Sequence, residues 1–177
     1  GVYGYEGNDV STAKSQANYS TYGVLYNWYA ASGGTSSSSN PSGLQGVCPT
    51  GWHLPSDAEW TQLTDYLSAN SQYWCGGNST QIAKSLASTL NWLSYSTTCS
   101  VGNDPSSNNS SNFSATAGGV RVSSGSWGSL NSDACWWSST EENSTKTWRR
   151  GIFYFNNTVH RYSNEKGYGY SVRCIRD

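Results

Sequence analysis

The chain has 177 residues, a formal net charge of −1 and only 12% charged residues, so its composition offers no basic surface for nucleic acid. No apolar run reaches the length of a membrane-spanning helix, and we therefore expect no membrane insertion. The length suits one compact domain with a sizeable core. Aromatic residues make up 14% of the chain, including nine Trp and 13 Tyr, which predicts a core built largely from rings.

The first 21 residues are predicted to form an N-terminal extended segment ahead of the main domain, which we place at residues 22–177. Apolar and aromatic side chains mark the positions at which this segment would pair: Val2, Tyr3 and Tyr5. The segment would be either an ordinary strand of its own domain or a strand that adds to the sheet edge of a neighbouring subunit. Residues 25–29 follow as the predicted first central strand.

A strand-to-helix turn is predicted around Ser56. Ser56 and Glu59 have the spacing of a capping box, in which each side chain bonds the main-chain N–H of the other residue. Pro55 immediately precedes the cap and prevents the helix from extending backward. The apolar residues that follow at helical spacing should bury one face: Trp60, Leu63 and Leu67. The helix is therefore expected to end at residue 69 or 70.

The later elements are short and are separated by polar loops. A second helix is predicted over residues 80–90, because apolar residues recur there at helical spacing. The positions expected to face inward are Ile82, Leu86 and Leu90. Strands are expected over residues 119–122, 134–138, 147–155, 158–162 and 169–175. Asn156 and Asn157 form the expected tight turn between two of them. Helices followed by a run of short strands indicate an α+β fold.

Six segments in chain order form a series. They are YGVLYNWYAA at 22–31, GVCPTGWHLPSDAEWTQL at 46–63, NFSA at 112–115, GGVR at 118–121, WWSSTE at 136–141 and SVRC at 171–174. This series resembles the Fibrobacter succinogenes major paralogous domain family, over nearly the whole chain from residue 22. Members of that family are bacterial extracellular or surface modules, so the resemblance implies a surface or extracellular location. The sequence begins at Gly1 without a signal peptide, which we interpret as the mature form of an exported protein.

A looser resemblance extends to C-type lectin-like folds. It implies a single domain with a twisted antiparallel sheet, two helices, long polar loops and disulfides. The calcium-binding tripeptides of those lectins, Glu-Pro-Asn or Gln-Pro-Asp followed by Trp-Asn-Asp, are absent from this chain. A lectin-type calcium-dependent sugar site is therefore not expected.

The five cysteines indicate an oxidising compartment. The family resemblance implies that Cys48 pairs with Cys174 and ties the last strand to the first helix region. Cys75 and Cys99 flank a short segment, and we expect a local bridge between them. Cys135 is then left over, either as a buried free thiol beside Trp136 or as one half of an intermolecular disulfide.

No residue pattern supports catalysis, and the chain is expected not to be an enzyme. His53 and Glu59 could form an acid–base pair, but Glu59 already has the capping role. No cofactor is expected. A structural calcium ion is conceivable, because several loop residues offer oxygen ligands: Asn103, Asp104, Asp133, Glu141 and Glu142.

The leading functional hypothesis is a non-enzymatic, exported structural protein whose copies self-associate into a fibre or surface layer. It follows from the weakly charged polar composition and the N-terminal segment. The alternative is a carbohydrate-binding or adhesion module, in which late-strand aromatic residues stack on sugar rings: Trp148, Tyr162 and Tyr168. Sequons for N-linked glycans occur at Asn18, Asn78, Asn108, Asn143 and Asn156, and also at Asn109 and Asn112.

Overall fold

A three-stranded antiparallel sheet lies at the centre of the molecule, which we describe for all 177 residues from a computed structural model. The helices are α1 (Val10–Ser15), α2 (Ala17–Tyr22), α3 (Trp28–Ser32), α4 (Asp57–Ala69) and α5 (Ala83–Leu86), with 3₁₀ turns at Ser71–Tyr73 and Pro105–Ser107. The strands are β1 (Trp52–His53), β2 (Val120–Arg121), β3 (Trp127–Gly128), β4 (Asp133–Glu141), β5 (Lys146–Phe153), β6 (His160–Glu165) and β7 (Ile175–Arg176). The central sheet has the order β4–β5–β6, and β1 pairs with β7 and β2 with β3, all antiparallel. The predicted α+β class is confirmed. No helix is both long enough and apolar enough to cross a membrane.

The longest helix, α4, forms where the capping box was predicted. The hydroxyl of Ser56 accepts from the N–H of Glu59, and the carboxylate of Glu59 accepts from the N–H of Ser56 at 2.9 Å. Trp60 and Leu67 are buried on the inward face, as helical spacing predicts. The prediction that the helix ends at residue 69 or 70 is confirmed.

The predicted central strand at residues 25–29 is wrong. Only Tyr26 makes a β-bridge there, with Tyr170. The side chain of Asn27 then accepts from the N–H of Ala30 at 2.8 Å and begins helix α3. The Asn27 cap ends the extended segment because it gives the first helical N–H groups a partner.

The predicted second helix is shorter than the spacing suggested. Only Ala83–Leu86 is helical, and Ile82 and Leu86 are buried as expected. Leu90 is 70% exposed, so its predicted inward position is wrong. The chain leaves the helix because the N–H of Ser88 donates to Ala115, and the N–H of Ala115 donates to Leu86. This non-local pairing outweighs the local helical pattern.

The late strands are confirmed at four of the five predicted ranges, as β2, β4, β5 and β6. Within 169–175 only Ile175 belongs to a strand, while Gly169, Tyr170 and Ser171 make isolated bridges. The two-residue turn expected at Asn156 and Asn157 is also wrong, because β5 ends at Phe153 and β6 begins at His160. Main-chain bonds between Tyr154 and both Ser132 and Gly102 draw the chain away from the hairpin.

The central sheet separates two hydrophobic clusters. Alternation along β4 places Ala134 and Trp136 toward α4, and Cys135 and Trp137 toward the opposite side. The larger cluster contains Trp60, Leu67 and Ile152 on the α4 side. The indole N–H groups of the core tryptophans bond main-chain carbonyls: Trp28 to Ser138, Trp60 to Trp137 and Trp137 to Tyr26. The ring-rich core is therefore hydrogen-bonded as well as packed.

The first 21 residues are not an extended segment, because α1 and the greater part of α2 lie within them. Val2 is buried in its own chain, and Gly1 exchanges main-chain hydrogen bonds with Leu25. Tyr3 packs on Trp127 with ring centroids 5.3 Å apart. The segment therefore packs as part of the same unit as the rest of the chain.

Both predicted disulfides are present, Cys48–Cys174 and Cys75–Cys99. Cys135 is a free thiol, and its burial raises its pKa to about 12. A thiol that is buried and protonated at neutral pH neither attacks an electrophile nor reaches another chain. Of the two alternatives for Cys135, the structure supports the buried thiol.

We predict that replacing Cys75 and Cys99 by Ser lowers the free energy of unfolding by about 3 kcal/mol. The bridge closes a loop with a sequence separation of 24, which restricts the unfolded chain. Urea titration followed by tryptophan fluorescence measures the change. A loss below about 1 kcal/mol would contradict the loop-closure argument.

Candidate functional site

One face of the central sheet carries a continuous series of rings. Alternation along β5 directs Arg149, Gly151 and Phe153 to this face. The register pairs Arg149 with Tyr162 and Gly151 with His160, so the two β6 rings lie on this face beside Arg149 and Gly151. This face is on the side of the sheet opposite α4.

We call the rings on this face the aromatic ladder, which consists of Tyr95, Phe155, Phe153, His160 and Tyr162. Neighbouring ring centroids along it are 5.2–6.3 Å apart: Tyr95–Phe155, Phe155–Phe153, Phe153–His160 and His160–Tyr162. The last pair is nearly parallel, with an interplanar angle of 13°. The guanidinium of Arg149 then lies 5.2 Å from the Tyr162 ring and 4.9 Å from Tyr170, which stacks with Tyr168.

The ladder is open to solvent at both of its ends. Tyr95 is 40% exposed, and Phe155 and Tyr162 are each 44% exposed. Gly151 makes this arrangement possible, because a Cβ there would lie 2.8 Å from the Arg149 guanidinium and 3.2 Å from the Phe153 ring. The missing side chain leaves space in which the charged group and the ring lie next to each other.

Hydrogen bonds fix the position of the His160 ring within the ladder. Its Nε2 accepts from the Asn156 amide at 2.7 Å, and its Nδ1 therefore carries the proton and donates to the Tyr162 hydroxyl at 3.0 Å. Burial and the nearby Arg149 charge lower the pKa of His160 below its ordinary value. The ring is therefore neutral at neutral pH.

The sugar-binding residues predicted from the sequence do not all lie together. Tyr162 and Tyr168 lie on the ladder side of the sheet, joined by Arg149 and Tyr170. Trp148 lies on the α4 side, where the guanidinium of Arg161 covers its ring at 3.4 Å. Sequence reasoning missed the rest of the ladder. Strict alternation along β5 would have grouped Phe153 with Arg149 and excluded Trp148.

A second cluster lies in a cleft of about 500 Å³ between the β1–β7 pair and the loop at residues 41–45. There His53 is held between two carboxylates: Nδ1 to Asp177 at 2.6 Å and Nε2 to Glu59 at 2.7 Å. Glu59 also accepts from the N–H groups of Ser42 and Ser56. We call this set the histidine clamp. Because both ring nitrogens are occupied, His53 has no free nitrogen with which to take a proton from a substrate.

The pKa values of the two histidines move in opposite directions. Burial acts to lower the pKa of His53, but the hydrogen bonds and charges of Asp177 and Glu59 outweigh it and raise that pKa above its ordinary value. His160 has a lowered pKa. The clamp therefore favours a charged ring, and the ladder favours a neutral one.

The loop positions considered for calcium already have protein partners. The Lys84 ammonium binds the main-chain carbonyls of Asn103, at 2.5 Å, and Asp104, at 3.1 Å. Glu141 pairs with Lys166. No group of three or more His, Cys, Asp or Glu side chains is arranged to hold a metal ion. Lys84 thus supplies a positive charge to the loop that holds Asn103 and Asp104.

Three of the predicted glycan acceptors are engaged within the fold. Asn108 is 7% exposed, and its amide donates to the carbonyls of Ser88 and Val101. The folded chain has no room for a glycan on Asn108, which opposes that prediction. The Asn156 amide is bonded to His160, and the Asn18 amide donates to the carbonyl of Tyr3 at 3.0 Å.

Comparison with known proteins gives one match. The family model described as the Fibrobacter succinogenes major domain matches residues 2–176 of the chain. No curated protein and no solved structure matches. The match covers the N-terminal segment as well as the six segments on which the resemblance rested.

We predict that the summed contribution of His53 and His160 to stability is greatest near pH 6.5 and decreases on both sides of it. The raised pKa of His53 means that the clamp stabilises fully below the unfolded value of about 6.5 and loses this contribution as pH rises through the folded value. The lowered pKa of His160 means that protonation of this ring destabilises the folded state. This destabilisation is absent above the unfolded value of about 6.5 and grows as pH falls below that value. Urea unfolding at each pH measures both contributions.

Two variants separate the two histidine contributions. His53→Gln should remove the loss of stability above pH 6.5 that comes from the clamp, and His160→Gln should remove the loss below pH 6.5 that comes from the ladder. The difference between wild type and variant isolates each ring from other groups, such as the Gly1 amine, whose pKa is lowered by burial and by the Arg121 charge. If the free energy of unfolding of His53→Gln falls above pH 6.5 with the same slope as that of the wild type, the clamp is not the cause of that fall.

Proposed function

Because the chain belongs to the Fibrobacter succinogenes major domain family, we propose that it is a non-enzymatic protein exported to the cell surface or beyond, and that its copies self-associate into a fibre or layer. The observation that carries this proposal is the solvent-exposed aromatic ladder. Phe153, His160 and Tyr162 lie on strands of the central sheet, and Tyr95 and Phe155 extend the series beyond it, so the rings are already in place to contact another macromolecule.

The composition of the ladder is that of a protein interface. Tyr and Phe are enriched at the centres of such interfaces, where they supply large contact areas at small cost in side-chain entropy. Leu93 is also exposed, and it lies two residues before Tyr95 at one end of the ladder. Exposed apolar residues grouped in this way are typical of association surfaces.

Low charge acts in the same direction. The net charge of −1 gives little repulsion between copies, and only 12% of residues are charged. The two disulfides support export, since such bonds persist in oxidising compartments. They also make the subunit resistant to unfolding outside the cell.

The proposal extends to a C-type lectin-like arrangement of the chain. The first and last strands, β1 and β7, pair antiparallel, and Cys48–Cys174 ties the last strand to the segment before α4. This is the relation between chain ends that such folds share.

The N-terminal segment offers a second route to association. In this structure Val2 fills its own core, and Gly1 bonds Leu25. A donor role would therefore require exchange of the same contacts between copies, as in domain swapping. Deletion of residues 1–5 that abolishes assembly and leaves the domain folded would support that route.

A second candidate function is binding of a polysaccharide along the ladder. The observation that favours it is the nearly parallel stack of His160 and Tyr162, which presents a flat ring face beside the amide of Asn164. Sugar rings stack on such faces, and amide groups hydrogen-bond their hydroxyls. In this second proposal the protein is an adhesion module, and a polysaccharide occupies the ladder surface in place of a second copy of the chain.

We predict that the double variant Tyr95→Ala, Phe155→Ala weakens self-association at least tenfold, because two exposed rings leave the interface. Sedimentation velocity over a concentration series measures the dissociation constant, and negative-stain electron microscopy shows filaments or their absence. Tyr66→Ala is the matched control, since Tyr66 is an exposed tyrosine on α4, outside the ladder. Equal assembly of the double variant and wild type would refute the ladder interface.

We predict for the second candidate that Tyr162→Ala reduces retention on insoluble cellulose or chitin at least tenfold, which corresponds to about 1.4 kcal/mol. Trp148→Ala should leave retention unchanged, because Arg161 covers that ring on the other side of the sheet. Failure of the wild type to bind any polysaccharide offered would exclude this candidate. Loss of retention with Trp148→Ala alone would place the sugar on the α4 side instead.

A further inference from the structure

Two Asn-Ser-Thr triplets adopt the same local conformation at separate places on the surface. The side-chain oxygen of Asn78 accepts from the N–H and the hydroxyl of Thr80, each at 2.9 Å. The side-chain oxygen of Asn143 accepts from the N–H of Thr145 at 2.9 Å and from its hydroxyl at 3.0 Å. The two triplets are therefore alike in structure as well as in sequence.

In both triplets the amide nitrogen faces solvent. Asn78 and Asn143 are exposed. The Nδ2 atom of Asn78 makes no hydrogen bond within the protein, and that of Asn143 makes one long contact, at 3.3 Å, with the exposed carboxylate of Glu142. The threonine hydroxyl thus engages the oxygen of each amide and leaves the nitrogen accessible.

We propose that Asn78 and Asn143 are the sites at which this protein carries N-linked glycans. The acceptor chemistry needs a nucleophilic amide nitrogen and a hydroxyl two residues later. In the transfer, Nδ2 bonds to the anomeric carbon of a sugar activated through a phosphate ester. The bond from that carbon to the phosphate oxygen breaks, the phosphate leaves with the bonding electron pair, and one Nδ2 proton passes to a base.

The hydroxyl bond is what prepares each amide for this step. A donor on the side-chain oxygen draws electron density toward that oxygen and stabilises the form in which Nδ2 has lost a proton. Thr80 and Thr145 place their hydroxyls there in the folded chain, before any enzyme binds. The acceptor is therefore competent after folding.

The remaining sequons lack this combination. Asn108 is buried, and the amide nitrogens of Asn18 and Asn156 are bonded within the fold. The Asn109 amide donates to the Ser114 hydroxyl, and the side-chain oxygen of Asn112, although exposed, accepts from no hydroxyl. The structure therefore selects two acceptors from the seven sequons of the sequence.

Mass spectrometry of glycopeptides from the protein in its native source tests the proposal. We expect sugar masses on the peptides that contain Asn78 and Asn143, and unmodified peptides for Asn108 and Asn156. Absence of sugar on both Asn78 and Asn143 would overturn the proposal. Sugar on Asn108 would overturn the selection by the fold.

A second measurement uses the folded protein with a purified N-glycosyltransferase and a nucleotide sugar. We expect two additions to the folded chain, one addition to Asn78→Gln or Asn143→Gln, and none to the double variant. The reduced and unfolded chain is the control, in which more sequons should react. Equal reaction at all sequons in the folded and unfolded chains would contradict the role of the fold.

Discussion

Two consecutive arginines at the centre of β5 impose the main constraint on this structure. Arg149 and Arg150 are both buried, and alternation sends their guanidinium groups to opposite sides of the sheet. A buried charge is tolerated only where partners surround it. On the α4 side Arg150 bonds Asp57 and Thr61 and thereby fixes the start of the helix against the sheet. The ladder side must provide other partners, and it has no carboxylate at Arg149.

The groups around Arg149 explain why that face is aromatic. Its guanidinium bonds the Asn164 side chain at 2.5 Å and the Cys135 sulfur at 3.2 Å, and its faces meet Tyr162 and Tyr170. Ring faces are weak acceptors that stabilise a cation without neutralising it. The surviving positive charge helps to lower the pKa of His160 and keeps the ladder uncharged near neutral pH. An apolar contact surface is therefore a consequence of how the charge is buried.

Local signals in the sequence predicted the parts of the fold that depend on local contacts. The Ser56–Glu59 capping box needs only residues three apart, and it placed α4 correctly. The truncation of the second helix depends on pairing with Ala115, and the ladder depends on the β5–β6 register and on the approach of Tyr95 to Phe155. Such distant contacts leave no periodic pattern in one sequence. The cap at Asn27 was a local signal, and reading it would have corrected the strand placed at residues 25–29.

The low charge of the chain favours association through the ladder, but it also leaves the rest of the surface without electrostatic protection against aggregation. A subunit with a net charge of −1 and exposed rings has little electrostatic protection against unspecific aggregation. Glycans on Asn78 and Asn143 would supply hydration and bulk in place of charge, and neither triplet contains a ladder residue. The surface would then be divided, with hydrated positions on the turns and one bare aromatic face. On this argument association is limited to the ladder because the sugar chains make other contacts unfavourable.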